Sequence, residues 1–201
     1  MQKIMLNDKY CLTDAALRKQ KTMTRRIENG LELLSETNHE FDGEKVILHF
    51  EASDEPIIIR PRYNAGEIVA VAQSYNSAGI SPTHKIYNDK KGQYENACDT
   101  AGWTNKMFVQ PELMPHKIQI TNVRLERLQD ISDEDCIKEG IIKFGDRFDG
   151  NFGFYENKRG KFPHLFGSES SAFAWLIDRV SGKGTWNRNP YVFVYEFKLV
   201  R

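Results

Sequence analysis

The segment from Arg18 to Arg26 holds the densest group of chemically active side chains in the chain. It reads Arg-Lys-Gln-Lys-Thr-Met-Thr-Arg-Arg, so five cations and two threonine hydroxyls lie within nine positions. Ammonium, guanidinium and hydroxyl groups all donate hydrogen bonds to phosphate and base oxygens. The segment therefore predicts a local anion site. The alternative is a solvated helix end, where cations are common because they face the negative end of the helix dipole.

The overall charge requires any such site to be local. The chain of 201 residues carries 28 Lys and Arg and 28 Asp and Glu, so no net charge attracts nucleic acid or an anionic membrane. A hydrophobic fraction of 40% and a charged fraction of 28% exclude a disordered, collagen-like or coiled-coil chain. The length favours one compact unit over two full domains.

Aromatic residues in or beside the predicted loops offer a second kind of contact, since bases stack on aromatic rings. Tyr63 and Trp186 are our candidates, and packing into the core is the alternative role for such residues.

The five histidines and three cysteines show no metal-ligand spacing, so we predict no metal site. No glycine-rich phosphate-binding motif follows a predicted strand, and we expect no cofactor.

The cysteines and the apolar runs bear on where the protein works. Cys11, Cys98 and Cys136 are odd in number and widely spaced, which favours a reducing, intracellular setting over a disulfide framework. The first residues lack an apolar signal region, and no apolar run has the length of a membrane span. The expected location is the cytoplasm, with no membrane partner.

Helices and strands predicted from local patterns must position the candidate residues. Thr13 is typical of a helix N-cap, and the helix that follows leads into the basic segment. Alternation of apolar and polar residues over 117–126 predicts a half-buried strand, and Ser132 and Gly140 bound a short acidic helix that carries Glu139. The other predicted elements are strands over 44–50, 56–60, 67–72 and 191–197 and a helix that begins near residue 170.

Five or more strands with three short helices, and no regular strand-helix alternation, predict an α+β fold. Its sheet is expected to be mixed or antiparallel and able to close into a small barrel. Residues 74–103 are polar with few aliphatic side chains and predict a long surface excursion rather than core. Residues 141–169 predict a second loop region, rich in glycine and aromatic residues.

Three parts of the chain together resemble the ASCH domain family. These are the basic segment Lys21 to Arg26 after a first helix, the strand and acidic helix from Val123 to Gly140, and the closing strand from Tyr191 to Lys198. The resemblance implies a PUA-like β-barrel with a few short helices. It covers about half of the residues, at both ends and in the middle of the chain.

The resemblance also implies how the chain is organised. Residues 1–201 would form a single ASCH domain, a long and phage-related variant with inserted loops at about 74–110 and 142–169. One position departs from the family pattern, because Lys19 stands where the family usually has glycine. Glycine suits a left-handed helix end, so the departure bears on how the following loop places Lys21.

For function, the resemblance implies a cleft that binds RNA or a modified nucleoside. In this interpretation cations and hydroxyls contact phosphate or base, and loop aromatics stack on the base. Another interpretation is that the chain is an accessory protein whose barrel mediates contacts with other proteins. The predicted ligand-binding residues are Lys19, Lys21, Thr22, Arg25, Arg26, Tyr63 and Trp186.

The alternative function is that of an amidohydrolase acting on an acylated nucleoside. One branch of the ASCH family hydrolyses N4-acetylcytidine, and its motif assigns the catalysis here to Lys21, Thr24 and Glu139. A threonine hydroxyl is a weak nucleophile that needs a neighbouring base, and a desolvated lysine with a lowered pKa can be that base. Thr24 as an ordinary strand residue and Glu139 as a solvated helix-end residue are the structural alternatives.

Overall fold

The computed structural model describes residues 1–35, 38–50, 53–145, 149–156 and 163–200 and confirms an α+β fold. The α-helices are α1 (Leu12–Leu17), α2 (Asp133–Lys138), α3 (Glu169–Ser181) and α4 (Thr185–Arg188). The strands are β1 (Lys3–Ile4), β2 (Met23–Arg26), β3 (Asn38–Phe41), β4 (Val46–Phe50), β5 (Ser53–Ile59), β6 (Ile68–Val71), β7 (Lys85–Asn88), β8 (Gln93–Asn96), β9 (Lys117–Arg127), β10 (Ile142–Lys143), β11 (Phe152–Phe154), β12 (His164–Phe166) and β13 (Tyr191–Val200).

The chain divides into two compact units. Unit 1 comprises Met1–Leu6, Ile68–Gln119 and the residues from Leu199 onward, and unit 2 comprises Asn7–Glu67 and Ile120–Lys198. In unit 1, β1 pairs with β6 in parallel, β6 pairs with the first residues of β9 in antiparallel, and β7 and β8 form a hairpin. Much of the predicted insertion at 74–110 therefore belongs to unit 1.

Unit 1 has an apolar core of its own. The expectation that residues 74–103 contribute no core is wrong, because Tyr75 is fully buried and its hydroxyl accepts a hydrogen bond from the Gln110 N–H (2.9 Å). The apolar residues of this segment are few and far apart in sequence, so no periodic pattern reveals them. The buried cluster consists of Ala70, Ala72, Tyr75, Ile86, Ala97, Val109 and Met114.

Unit 2 contains every candidate site residue. Here β2 pairs with β13 in antiparallel, with Thr24 opposite Tyr195 and Arg25 opposite Val194. The strands β3, β4 and β5 form one antiparallel sheet and β10, β11 and β12 another. The predicted strands over 44–50 and 56–60 are confirmed as the paired β4 and β5.

The end of α1 determines how the chain enters the basic segment. The Gln20 N–H donates to Ala15 O (2.8 Å) and the Lys19 N–H donates to Ala16 O (3.0 Å), which together form a Schellman motif. Lys19 has a φ of 61°. The residue that departs from the family pattern therefore occupies the left-handed position that usually favours glycine.

The predicted acidic helix is confirmed as α2. The Ser132 hydroxyl caps it by accepting a hydrogen bond from the Asp135 N–H (3.1 Å). Gly140 ends the helical segment with a φ of 106°, and a Cβ at this position would lie 3.3 Å from Leu12 Cδ2. The short helix α4 was not predicted, because four residues carry no periodic signal.

The long strands β9 and β13 confirm the predictions made from alternation and aromatic content. The strands of the described residues do not form a closed barrel, so the PUA-like barrel remains a prediction. Within the same residues, no helix combines the length and the apolar character needed to cross a membrane. Of the predicted insertion at 142–169, residues 146–148 and 157–162 lie outside the described residues.

Candidate functional site

The structure divides the basic segment into an exposed part and a buried part. Arg18 and Lys19 are exposed at the end of α1. Lys21 and Arg25 are only 2% and 6% exposed. Because Lys and Arg are rarely buried without a partner, the buried pair requires compensating charges nearby.

Backbone hydrogen bonds fix Lys21 between three elements. Its N–H donates to Ala15 O at the end of α1 (3.0 Å). The next residue, Thr22, donates from its N–H to Lys138 O of α2 (2.9 Å) and accepts from the Phe197 N–H of β13 (2.8 Å). Thr22 thus anchors the segment through its backbone.

The Lys21 ammonium is held by a single residue, Glu139, which follows the last residue of α2. The Lys21 Nζ atom lies 2.6 Å from Glu139 Oε2 and 2.7 Å from the Glu139 main-chain oxygen. Glu139 is 4% exposed. The structure therefore brings together two of the three predicted catalytic residues as a buried ion pair.

Arg25 holds the other oxygen of the same carboxylate. Its Nη1 atom lies 3.3 Å from Glu139 Oε1, and its Nη2 atom lies 2.5 Å from Glu126 Oε1 and 3.1 Å from Asp135 Oδ2. Arg124 extends the contacts outward, with Nη2 2.9 Å from Asp135 Oδ2 and Nη1 against Glu196 Oε1. We call this set the ion network: Lys21, Arg25, Arg124, Glu126, Asp135, Glu139 and Glu196.

The ion network differs from the predicted anion site. Each of its cations already contacts at least one carboxylate, so Lys21 and Arg25 have no uncompensated charge to offer a phosphate. The sequence indicated Glu139 only through the family resemblance, and it did not indicate Glu126 or Asp135. The regular alternation of β9 was the one available signal for Glu126, because it places polar side chains on one face.

Burial and pairing alter the proton affinity of the ion network in opposite directions. Burial lowers the pKa of Lys21, since it penalises the charged ammonium, while Glu139 opposes this effect and Arg26 and Arg25 add to it. For Arg25, burial alone would lower the pKa, but the carboxylates of Glu139 and Glu126 outweigh it and raise the pKa. Of the two buried cations, Lys21 is therefore the one whose pKa lies below its ordinary value.

Thr24 lies on β2 beside Arg25 and is 7% exposed. Successive side chains of a strand point to opposite faces, so Thr24 projects away from the face that carries Arg25. Within the described part of the chain, its hydroxyl makes no hydrogen bond. The structure thus leaves the third predicted catalytic residue with an uncommitted hydroxyl, on the strand that begins two residues after Lys21.

The remaining predicted ligand residues lie in other surroundings. Tyr63 is 1% exposed, and its ring packs edge-to-face against Tyr195 at 5.2 Å, so no ring face is open for stacking. Trp186 is half-buried and packs against Phe173 at 6.2 Å. Arg26 is half-buried at the end of β2.

A second polar cluster lies near Arg26 and was not indicated by the sequence. The buried Tyr195 hydroxyl donates to Glu28 Oε1 (2.7 Å), and the Arg62 N–H donates to Glu28 Oε2 (3.0 Å). Burial raises the pKa of Glu28, although the bonds from Tyr195 and Arg62 oppose the rise. Both acceptor oxygens of Glu28 are therefore occupied.

A cavity of about 420 Å³ borders the residues next to the Lys21–Glu139 pair, and this is a usual size for a small-molecule site. Gln20 and Gly140, which adjoin Lys21 and Glu139 in sequence, form part of its wall. The Lys143 ammonium lies 5.6 Å from the centre of the Phe152 ring, so one wall combines a cation with an aromatic ring. The other lining residues are Ile137, Ile141, Ile142 and Glu169.

In comparisons with protein-family models, curated proteins and solved structures, the chain matches none of them. The resemblance to the ASCH family therefore depends on the motif residues themselves. Among the described residues, no group of three or more His, Cys, Asp or Glu side chains is arranged to hold a metal ion. The chemistry available at the site therefore comes from the ion network and the neighbouring cavity.

Proposed function

We propose that unit 2 binds a modified nucleoside and hydrolyses its acyl amide, with Lys21 and Glu139 as the reacting pair. The observation that carries the proposal is the buried ion pair of Lys21 Nζ and Glu139 Oε2 at 2.6 Å. A buried lysine with a lowered pKa, beside one carboxylate, is the arrangement that general-base catalysis requires. The substrate class comes from the ASCH resemblance, which also assigns Lys21 and Glu139 to catalysis.

The charge balance favours a nucleoside over a polyphosphate chain as the ligand of this site. Lys21 and Arg25 are neutralised by carboxylates, so a phosphate would meet Glu126, Asp135 and Glu139 as well as the cations. A neutral base or an acyl group meets no such repulsion. The cavity beside Gly140 has an aromatic wall that suits a flat base.

The proposed reaction follows from the proton affinities. The neutral Lys21 amine takes a proton from a water molecule while the water oxygen attacks the acyl carbonyl carbon. The amide C–N bond then breaks, and the Lys21 ammonium returns the proton to the departing amine, which releases the carboxylic acid and the deacylated nucleoside. Thr24 is not used in this reaction, because its side chain projects to the face of β2 opposite Arg25. Glu139 orients the amine throughout.

Incubation with N4-acetylcytidine and other acylated nucleosides, with products read by mass spectrometry, tests the proposal. We expect deacylation by the natural chain and by Thr24→Val, and none by Lys21→Ala. Lys138→Ala is the matched control, because Lys138 is a surface lysine that pairs with Glu134 and Asp135 and lies outside the proposed mechanism. Unchanged turnover in Lys21→Ala would refute the assignment.

The pH dependence of the rate gives a sharper test. Since burial lowers the pKa of Lys21 below its ordinary 10.5, the rate should rise with pH through a value below 10.5 as the amine loses its proton. Glu139 favours the ammonium, so Glu139→Gln should move this rise to lower pH. A rise that stays in place in Glu139→Gln would mean that another group titrates.

A second candidate function is RNA binding by the exposed part of the basic segment. It is favoured by Arg18 and Lys19, which are exposed and have no ion-pair partner among the described residues. Each phosphate contact adds a salt dependence of about −0.7 to the logarithmic affinity for a single strand. Filter binding of an RNA oligonucleotide should therefore weaken with salt, and Arg18→Gln should reduce the slope. No retention at low salt would remove this candidate.

A further inference from the structure

The hairpin of β7 and β8 in unit 1 has one buried face and one exposed face. Ile86 pairs with Glu95, and Tyr87 pairs with Tyr94. Since neighbouring residues point to opposite faces, Ile86 is 5% exposed within the apolar cluster of unit 1 while the two tyrosines project outward. The polar sequence of 74–103 predicts a surface excursion and does not reveal this pair of tyrosines.

The two tyrosine rings form an exposed pair. Tyr87 is 44% exposed and Tyr94 is 67% exposed. Their ring centres are 5.2 Å apart with an angle of 63° between the planes, so the contact is edge-to-face. This contact limits the rotation of both side chains and leaves ring surface open to solvent. Rigid aromatic surface of this kind is suited to stacking.

The charges around the pair fit a nucleic acid strand. Lys85 and Lys90 are exposed, and neither has an ion-pair partner among the described residues. Lys91 is paired with Glu95 (2.5 Å), and Asp89 is the other exposed acid of the hairpin. Outside the Lys91–Glu95 pair, Lys85, Lys90 and Asp89 therefore give the hairpin a net charge of +1.

The size of the surface argues against a protein partner. A stable protein interface buries about 800 Å² on each partner, with a predominantly apolar centre. Apart from the two tyrosines, the outward residues of this hairpin are polar, as the sequence Lys-Ile-Tyr-Asn-Asp-Lys-Lys-Gly-Gln-Tyr-Glu-Asn shows. Two rings with adjoining ammonium groups are sufficient for one or two unpaired bases.

We propose that Tyr87 and Tyr94 form a stacking site for unpaired bases of a single-stranded nucleic acid, with Lys85 and Lys90 as phosphate contacts. The site lies in unit 1 and uses none of the residues assigned to the hydrolysis of a nucleoside. Affinity at this site is expected to depend on ring surface more than on charge. Two phosphate contacts predict a logarithmic salt slope of only about −1.4 for a single strand.

Fluorescence anisotropy of labelled twelve-nucleotide rU and dT strands, with the full chain and its variants, tests this site. Tyr94→Ala should weaken binding by about 5-fold to 150-fold, which is the range typical for the loss of one stacked base. Tyr94→Phe should bind like the natural chain, because the ring is kept. Tyr155→Ala, which removes a tyrosine that is 40% exposed and belongs to unit 2, should have no effect.

Other outcomes contradict the proposal. No binding at low salt, or equal losses in Tyr94→Ala and Tyr155→Ala, would overturn it. Loss of binding in Arg18→Gln but not in Tyr94→Ala would overturn it too, because the nucleic acid strand would then bind the basic segment alone.

Tyr94 is exposed and outside the core, so the Tyr94→Ala variant should keep its circular dichroism spectrum. Deacylation of N4-acetylcytidine should be unchanged in Tyr94→Ala, so failure of one proposal is distinguishable from failure of the other.

Discussion

Replacement of Arg25 by methionine tests how much the ion network stabilises unit 2. The Arg25 side chain is 1% exposed, and Glu126, Asp135 and Glu139 accept its hydrogen bonds. Removal of one partner from a buried ion pair costs about 3–5 kcal/mol, because the remaining charge is left uncompensated. Since Lys21 still holds Glu139 and Arg124 still holds Asp135, we expect the lower end, a loss of about 3 kcal/mol in the free energy of unfolding.

Arg124→Met is the matched control. Arg124 and Arg25 contact the same oxygen of Asp135, at 2.9 Å and 3.1 Å, but the Arg124 side chain is 34% exposed. Exposed ion pairs contribute about 0.2–1 kcal/mol, because water screens the charges. The comparison therefore separates the effect of burial from the effect of the contact itself.

Urea denaturation followed by tryptophan fluorescence measures both variants. A Trp103→Phe background leaves Trp175 and Trp186, which both belong to unit 2, as the reporters. We expect Arg25→Met to shift the midpoint strongly and Arg124→Met to shift it little. Equal losses of unfolding free energy in the two variants, or a loss below about 1 kcal/mol in Arg25→Met, would contradict this reasoning. Burial would then not increase the contribution of Arg25 to stability.

The other predictions concern backbone geometry and are measured by the same denaturation. Lys19→Gly should stabilise the protein by about 1 kcal/mol, because Lys19 has a φ of 61°, whereas Arg18→Gly at a φ of −86° should destabilise it. Gly153→Ala should cost at least about 1–3 kcal/mol, since its Cβ would lie 1.8 Å from His164 O. Gly145→Ala should change stability by no more than about 0.5 kcal/mol, since no described residue other than its chain neighbours lies within 4 Å of its Cβ.

Local signals account for the elements that the sequence predicted. The alternation over 117–126 and the cap at Ser132 each act within a few residues, so β9 and α2 were found with nearly their observed bounds. The helix end at Lys19 belongs to the same class, because its hydrogen bonds reach back only to Ala15 and Ala16. Such features can be predicted because their partners are near in sequence.

The ion network could not be predicted for the opposite reason. Glu126, Asp135 and Glu139 follow Arg25 by 101, 110 and 114 residues. No local pattern shows that these carboxylates meet the basic segment. The charge pattern alone therefore predicts Lys21 and Arg25 as phosphate contacts, and only the family resemblance assigned Glu139 to the same site as Lys21. The core of unit 1 was missed in the same way, since Tyr75 and its partner Gln110 are 35 residues apart in sequence.

Whether the ion pair of Lys21 and Glu139 serves catalysis or only structure can be decided by replacing both partners. Apolar side chains of similar volume in place of a buried ion pair are often neutral or stabilising by about 1–4 kcal/mol. If the pair were only structural, the double variant Lys21→Met with Glu139→Leu would keep every property of the natural chain. Because Glu126 and Asp135 still pair with Arg25, we expect the double variant to keep its unfolding midpoint within a few tenths molar urea, or about 1 kcal/mol. We also expect it to lose deacylation completely. Retained deacylation in a stable double variant would assign the pair to stability alone, because no proton could then pass through residue 21.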